Sequence, residues 1–265
     1  MKANAPIGAY DSGVGGLSVV AEIRRLLPKE DIIYFADTAH LPYGKRPPEE
    51  LRELAQEAAR FLLAQEAKLI VVACNTATVH CIGHLRETFP QLPFVGVVPV
   101  VKTLARLTRT GTIAVLSTPA TSRSDYLRGL ISEFAPDKEV INVGCEGLEN
   151  AIEAGQVRNR STTALLAQHL APVQGSRADV VGLGCTHYPF LRHRIKRMLG
   201  RGVRVYDPSR PVARRVRQLL RERDGFASNP RPAFRFYTTG DARVFGPVAA
   251  KLLRQPVRDV KRVSI

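Results

Sequence analysis

Short runs of β-branched and other apolar residues recur along the chain, and some of them have no polar side to turn towards water. In Leu69–Ala73 every residue is apolar, so both faces of such a strand must be covered. Longer amphipathic stretches separate these runs, and in Pro48–Gln65 the apolar side chains recur at helical spacing. This alternation predicts an α/β fold with parallel sheets.

The same periodicities predict individual elements. Strands are expected over Pro6–Tyr10, Asp31–Phe35, Leu69–Ala73, Phe94–Val98, Thr112–Leu116, Glu139–Asn142, Val180–Leu183 and Val203–Tyr206. Helices are expected over Gly16–Leu27, Pro48–Gln65, Ala77–Thr88, Thr121–Phe134, Thr162–Ala171, Phe190–Leu199 and Pro211–Arg223. The Gly- and Pro-containing stretch Asp224–Pro232 predicts a loop, followed by a strand over Phe234–Tyr237 and a short helix ending near Leu253.

Composition excludes several classes of protein. The 265 residues are 45% hydrophobic and 24% charged, which is typical of a globular protein and not of a disordered chain, a collagen or a coiled coil. No apolar run is long enough to cross a bilayer, and the first ten residues lack the apolar core of a signal peptide. Four cysteines do not make a disulfide framework in a chain of this length. A cytoplasmic protein without a membrane partner is expected.

The net charge of +15 is compatible with a nucleic-acid partner, with an anionic substrate or with an arginine-rich solvated surface. The basic residues are densest between Arg192 and Arg223. No helix-turn-helix, zinc-finger or RNP pattern accompanies them. The solvated surface is therefore favoured, and nucleic acid is not expected as the primary partner.

Two segments of the chain echo each other. Leu69–Thr76 reads LIVVACNT and Val180–His187 reads VVGLGCTH, so each is a buried-type strand followed by a cysteine and small polar residues. Ligands of open α/β sheets bind beyond the carboxyl ends of strands. A single buried cysteine is more often packing, but the matching contexts of Cys74 and Cys185 favour a functional pair in two related α/β halves. Because there is no CxxC pair, metal binding is not expected.

Polar residues surround these predicted strand ends. Asp11–Gly16 (DSGVGG) follows the first strand but makes neither a Walker A motif nor a dinucleotide fingerprint. Asp37–Gly44 follows the second strand, where an ordinary surface loop is as well supported as a functional one. His187 is suited to orienting or deprotonating a thiol. Cys81 and Cys145 lie outside such motifs, and packing is the favoured interpretation for both.

Taken together, the motifs resemble those of glutamate racemase, in the aspartate/glutamate racemase superfamily. They are Asp11–Leu17, Pro42–Gly44, Ala73–Ala77 and Gly184–Pro189, in the order of that family. The resemblance implies two similar parallel-sheet α/β domains that face each other with the active site between them. The first would comprise residues 1–97 plus about 208–265, and the second about 98–207.

The resemblance also implies a cofactor-independent 1,1-proton transfer between L- and D-glutamate. One cysteine would act on each face of the α-carbon, with Asp11 assisting Cys74 and His187 assisting Cys185. The substrate-binding positions that it implies are Asp11, Ser12, Pro42, Tyr43, Gly44, Asn75, Thr76, Thr118, Thr121, Thr186 and His187. D-glutamate would supply peptidoglycan, and the protein would be a homodimer or a monomer–dimer equilibrium.

The chain departs from the family at two places. Ala36–His40 replaces the usual Gly-Asp-Thr-Ala-Arg, which removes a cation. Leu148–Glu153 lacks the proline of the usual Pro-Leu-Val-Glu, although its spacing places Glu153 at the position of a glutamate that assists the second cysteine.

Three alternatives remain open at this stage. The first is a racemase for aspartate or another amino acid. The second is an acyl-transfer or hydrolytic enzyme with a cysteine nucleophile and His187. The third is an anion- or nucleic-acid-binding homologue. Only the racemases use both cysteines.

Overall fold

The computed structural model describes residues 1–97 and 100–265. Contacts along the chain divide it into two compact units. Unit 1 comprises Met1–Val97 and Ser209–Ile265, and unit 2 comprises Val98–Pro208.

Unit 1 is built on a six-stranded sheet. Its strands are β1 (Ile7–Asp11), β2 (Ile32–Ala36), β3 (Leu69–Val72), β4 (Phe94–Gly96), β9 (Phe234–Thr238) and β10 (Lys261–Arg262). Their order is β10-β9-β2-β1-β3-β4, and all of these pairs are parallel. The first three strands are buried along their whole length, as strands covered on both faces must be.

Unit 2 carries a four-stranded parallel sheet. Its strands are β5 (Thr112–Ser117), β6 (Glu139–Gly144), β7 (Val180–Leu183) and β8 (Arg204–Tyr206), in the order β6-β5-β7-β8. Two parallel-sheet α/β units were expected, and this fold class is confirmed.

The helices lie between the strands in sequence. They are α1 (Leu17–Leu26), α2 (Pro48–Ala64), α3 (Asn75–Thr88), α4 (Val101–Leu107), α5 (Pro119–Ser122), α6 (Asp125–Phe134), α7 (Leu148–Glu153), α8 (Arg160–Gln174), α9 (Arg192–Leu199), α10 (Ser209–Glu222) and α11 (Ala242–Leu253). Within the described residues, none of them combines the length and the apolar character needed to cross a membrane.

The predicted helix Thr121–Phe134 is wrong as a single element. The structure forms α5 and α6 instead, because the Ser124 hydroxyl accepts a hydrogen bond from the backbone N–H of Leu127 at 3.2 Å and starts a new helix. The apolar periodicity continues through this break, so it does not reveal that a second helix begins after Ser124.

Other differences concern the ends of elements. The short helices α4 and α7 and the two-residue strand β10 were not predicted. A 3₁₀ turn over Tyr188–Leu191 occupies the predicted beginning of α9, and α3 begins two residues earlier than predicted. The predicted strand Phe94–Val98 ends at Gly96 in β4, and Val98 lies outside the described residues.

Both sheets place a cysteine beside the point where strand order reverses. In unit 1, β3 lies on one side of β1 and β2 on the other, and Cys74 follows β3. In unit 2, β7 and β6 flank β5, and Cys185 follows β7. Loops that leave neighbouring strands in opposite directions open a crevice at such a reversal. The Cys74 and Cys185 motifs therefore occupy equivalent places in the two sheets, in agreement with their similar sequences.

Candidate active-site residues

Cys74 is the residue that caps helix α3. Its sulfur accepts a hydrogen bond from the backbone N–H of Ala77 at 3.5 Å, and the Ser12 hydroxyl lies 3.8 Å from the same sulfur. The first turn of a helix has N–H groups without an intrahelical partner, and these favour negative charge. Cys74 is 6% exposed, so its thiol lies in a mostly dry site beside donors that stabilise a thiolate.

Asp11 is the last residue of β1, the strand that pairs with β3, and Cys74 follows the end of β3. It is fully buried. Its carboxylate accepts a hydrogen bond from the backbone N–H of Gly13 at 2.7 Å and a longer one, at 3.4 Å, from the Ser12 hydroxyl. The turn after β1 packs tightly against its neighbours. A Cβ added at Gly16 would lie 2.9 Å from the Asp11 Cβ and 2.8 Å from the Ala73 Cβ, which is too close for carbon atoms. Glycine is therefore required at position 16.

Asn75 and Thr76 follow Cys74 in the first turn of α3, and both are buried. The Asn75 amide donates to the Val97 carbonyl at 3.4 Å, while its Oδ1 atom has no hydrogen-bond partner within residues 1–97 and 100–265. A buried polar atom without a partner costs free energy. Asn75 therefore offers an acceptor to a ligand with an N–H donor.

Tyr43 belongs to a buried hydrogen-bond network. Its hydroxyl donates to the Asp37 carboxylate at 2.6 Å and accepts from the Tyr10 hydroxyl at 2.9 Å. Asp37 also accepts from the Thr239 hydroxyl at 2.7 Å and lies 2.7 Å from Nδ1 of His40. The network fixes the loop that carries Tyr43. Its neighbours Pro42 and Gly44 are exposed.

Burial raises the pKa of Tyr43 well above its usual value, and the nearby Tyr10 and Asp37 raise it further. A charged phenolate is disfavoured in a dry site next to a carboxylate. Tyr43 therefore remains a neutral hydroxyl and a hydrogen-bond donor at every physiological pH.

Cys185 and His187 form a contact in unit 2. The Cys185 sulfur lies 3.5 Å from Nδ1 of His187, and Nε2 of the same ring lies 2.6 Å from a carboxylate oxygen of Glu153. His187 is 5% exposed and Cys185 is 4% exposed. The three groups make a thiol–imidazole–carboxylate series, in which the carboxylate orients the ring and the ring contacts the sulfur.

Burial by itself lowers the pKa of His187, because a charged ring is disfavoured away from water. The negative charge and hydrogen bond of Cys185, together with those of Glu153, outweigh that effect and hold the pKa of His187 well above its usual value. The imidazole is therefore a proton carrier held next to a thiol.

The remaining predicted positions of unit 2 are polar and near strand ends. Thr118 follows β5 and caps α5, where its hydroxyl donates to that of Thr121 at 3.1 Å. Thr121 is buried, and so is Thr186, which stands between Cys185 and His187. Threonine hydroxyls both donate and accept hydrogen bonds, so these residues suit a polar ligand.

Cys81 and Cys145 are the other two cysteines. Each is fully buried and hydrogen-bonded to a backbone carbonyl, of Leu51 at 3.3 Å and of Val143 at 3.7 Å. Burial raises the pKa of both thiols to about 12, and the charges of Cys185 and Glu149 contribute at Cys145. Their contacts agree with the predicted packing role.

Two residues of the Tyr43 network received no role from sequence reasoning. Asp37 belongs to the loop after β2, and Thr239 follows the distant strand β9. Their partnership brings together segments 202 residues apart, and the sequence carries no signal of that pairing. No group of three or more histidine, cysteine or carboxylate side chains in the described ranges is arranged to hold a metal ion.

Comparison with known proteins places this chain among racemases. The profile of the Asp/Glu/Hydantoin racemase family matches residues 15–216. The chain belongs to this family. A glutamate racemase from Roseiflexus sp. (strain RS-1) is 44% identical over 93% of this chain and 92% of its own length.

Solved structures of glutamate racemases share the fold. Isoform RacE1 from Bacillus anthracis superposes with a TM-score of 0.90 at 33% identity, covering 99% of this chain and 98% of that one. The enzyme from Francisella tularensis, solved in complex with D-glutamate, gives 0.86 at 31% identity and 98% coverage of both chains. The predicted family is confirmed, and with it the class of amino-acid racemase.

Proposed function

We propose that this protein interconverts L- and D-glutamate by moving the α-proton between Cys74 and Cys185, without a cofactor. The observation that carries the proposal is the pair of strand-end cysteines, each provided with groups that handle a thiolate. The names of its relatives, and the D-glutamate bound to one of them, support the choice of substrate.

The reaction begins with one cysteine as a thiolate and the other as a thiol. The thiolate removes the α-proton from one face, and the thiol delivers its own proton to the opposite face. The product is the mirror-image amino acid, and the two cysteines have exchanged protonation states. Two bases on opposite faces invert the centre without rotation of the substrate.

The first half of the site is proposed to consist of Cys74 with Asp11, Ser12 and the helix N-terminus. Ser12 and the Ala77 N–H lie within hydrogen-bond range of the sulfur. Asp11 assists proton movement at this thiol and binds the substrate ammonium. A carboxylate that is held by a backbone N–H is pre-organised for that contact.

The second half is proposed to consist of Cys185 with His187 and Glu153. The ring takes the thiol proton and becomes an imidazolium, which Glu153 stabilises at 2.6 Å. This hydrogen bond argues for the assisting role of Glu153, even though the usual proline before it is missing. Glu153 acts through His187 and is therefore a positioning residue.

The substrate is proposed to be held mainly by neutral groups. Asn75 Oδ1 would accept from the ammonium, and the hydroxyls of Thr76 and Thr186 would donate to carboxylates. Tyr43, whose hydroxyl proton is held by Asp37, would fix the loop that borders the substrate. Thr118, Thr121, Pro42 and Gly44 complete the proposed binding positions. Donors aimed at the α-carboxylate also stabilise the negative charge that develops when the α-proton leaves.

D-glutamate made in this way would supply peptidoglycan in a bacterial cytoplasm. A homodimer or a monomer–dimer equilibrium stays a prediction, which sedimentation of the purified protein over a range of concentrations would measure.

The deciding experiment is proton NMR of purified protein with L-glutamate in D₂O, followed in parallel by circular dichroism. We expect the α-proton signal and the optical activity to disappear together. Cys74→Ala and Cys185→Ala are each expected to abolish interconversion, whereas Cys81→Ala provides a matched cysteine control. Near-normal turnover by either of the first two variants would falsify the two-base assignment.

The choice of glutamate has its own test. A panel of L-amino acids including aspartate should give exchange above background only with glutamate. Faster exchange with aspartate or another amino acid would assign the site to that substrate while leaving the two cysteines in place.

A further inference from the structure

A cavity lies within unit 1, at the edge of its sheet. Its volume is about 540 Å³, within the range of about 300–1,000 Å³ that is common for small-molecule sites. The wall is formed by Phe234, Arg235 and Phe236 of β9, by Arg24 of α1, and by Arg258 and Lys261 before and within β10. None of these residues belongs to the proposed racemase site.

The cavity exists because strand β10 is short. In the described residues β10 pairs with β9 only opposite Tyr237 and Thr238. The first part of β9, Phe234–Phe236, therefore has no strand beside it on that edge. Its aromatic side chains and the segment before β10 enclose the space.

Arg24 is held in a fixed orientation at this cavity. Its guanidinium lies 4.6 Å from the centre of the Phe234 ring and donates to the Gln255 side chain at 2.9 Å. Burial lowers the pKa of Arg24 from its usual value. Neither Phe234 nor Gln255 carries a charge, so the positive charge of Arg24 is not neutralised by the groups that hold it.

The other cations of the wall are also without ion-pair partners. Arg235, Arg258 and Lys261 are exposed, and none of the three makes a side-chain ion pair with any described residue. Asp259 is the one carboxylate among the cavity-lining residues, against four cations. Like charges gathered around a concave space raise the local concentration of anions.

The shape and the charge together indicate the class of ligand. Guanidinium groups bind phosphate through paired N–H donors, and a cavity with four cations suits a ligand with several negative charges. The ring of Phe234, the side chain of Phe236 and Pro256 add an apolar wall. We propose that this cavity binds a nucleoside polyphosphate, with its phosphates on Arg24, Arg235, Arg258 and Lys261 and its base against the apolar wall.

The probe for this proposal is ADP, titrated without metal ions into the purified full-length chain by calorimetry. We expect saturable binding of one ADP per chain. Arg235→Glu/Arg258→Glu should weaken it at least tenfold, because two contacts with phosphate become repulsive. Arg221→Glu, which changes an exposed arginine of α10 to the same acid, is the matched control and should bind ADP as the original chain does.

Two further probes each represent one part of ADP, its phosphates or its nucleoside. Pyrophosphate and adenosine should each bind at least tenfold more weakly than ADP, since each meets only one wall of the cavity. Pyrophosphate binding equal to that of ADP would overturn the assignment of a nucleotide. Absence of saturable ADP binding at millimolar concentration, or an equal loss in Arg221→Glu, would overturn the site.

Racemisation of glutamate is measured on the same samples. Arg235→Glu/Arg258→Glu is expected to retain it, because neither residue belongs to the proposed catalytic groups. Retained racemisation also shows that the variant is folded, so loss of ADP binding in it is attributable to the cavity. Failure of the proposed function would leave the ADP result unaffected.

Discussion

Nε2 of His187 lies 2.6 Å from a carboxylate oxygen of Glu153. The opposite nitrogen of the ring faces the Cys185 sulfur at 3.5 Å, so a carboxylate and a thiol hold one buried imidazole between them. This arrangement connects the protonation of the ring to both neighbours, and it makes the pH dependence of the protein a direct test of the proposed mechanism.

Replacing Glu153 tests its action through His187. Glu153→Gln removes a negative charge that raises the pKa of His187, so the pKa should fall and the imidazolium should be less populated. We expect kcat/KM to fall roughly tenfold for each unit of lost pKa, with the high-pH limb of its profile moving to lower pH. The measurement is kcat/KM for both enantiomers from pH 6 to 10.

Glu133→Gln is the matched control, since Glu133 is an exposed residue of α6 in the same unit. Its pH profile should coincide with that of the original chain. A uniform loss of activity in Glu153→Gln, with both limbs unmoved, would contradict the proposed role and indicate a merely structural one.

Stability should also depend on His187. Its pKa is raised in the folded chain, so above pH 6.5 the folded state keeps a proton that the unfolded state releases. The contribution of His187 to the unfolding free energy is therefore complete below that pH and is lost as the pH rises through the folded pKa. One proton gives a slope of at most about 1.4 kcal/mol per pH unit.

Urea unfolding between pH 6 and 9, compared for the original chain and for His187→Gln, isolates this contribution. The difference in unfolding free energy between the two should shrink as the pH rises. A difference that stays constant over the whole range would mean that the folded-state pKa of His187 is not raised.

Alkylation should separate the four cysteines. The thiols of Cys81 and Cys145 are fully buried and have pKa values of about 12, so almost no thiolate is present at pH 8. Cys74 and Cys185 retain slight exposure and have groups that stabilise a thiolate. We expect iodoacetamide to modify these two first, as measured by peptide mass spectrometry, and D-glutamate to protect them. Early labelling of Cys81 would contradict this order.

Removing one hydroxyl should destabilise the Asp37 network. Tyr43→Phe deletes the donor at 2.6 Å from the buried Asp37 carboxylate, and a buried acceptor that loses its donor costs about 1–3 kcal/mol. We expect the unfolding free energy to fall by that amount and KM for glutamate to rise. Tyr237→Phe is the control, because its hydroxyl makes only a 3.3 Å contact with Gln65. Equal effects of the two variants would contradict the importance of the network.

Much of the fold could be read from local patterns. Strands such as Leu69–Val72 are apolar on both faces, and only a parallel sheet covered on both sides satisfies them. The break between α5 and α6 could not be read in this way, because apolar periodicity is blind to the Ser124 cap. Strand β10 was also missed, since a two-residue strand has no period to detect.

The α/β class and the two strand-end cysteines could be predicted from the amino-acid sequence, because burial and helix starts are local properties of neighbouring residues. Hydrogen bonds between distant segments are visible only in the folded units. Thr239 reaches Asp37 across most of the chain. Glu153, which the family resemblance places near the second cysteine, ends α7 and lies 2.6 Å from His187 in the loop after β7. Such hydrogen bonds form only where the separation between two elements is correct to within a few tenths of an ångström. That separation is set by the packing of the whole unit rather than by any local pattern.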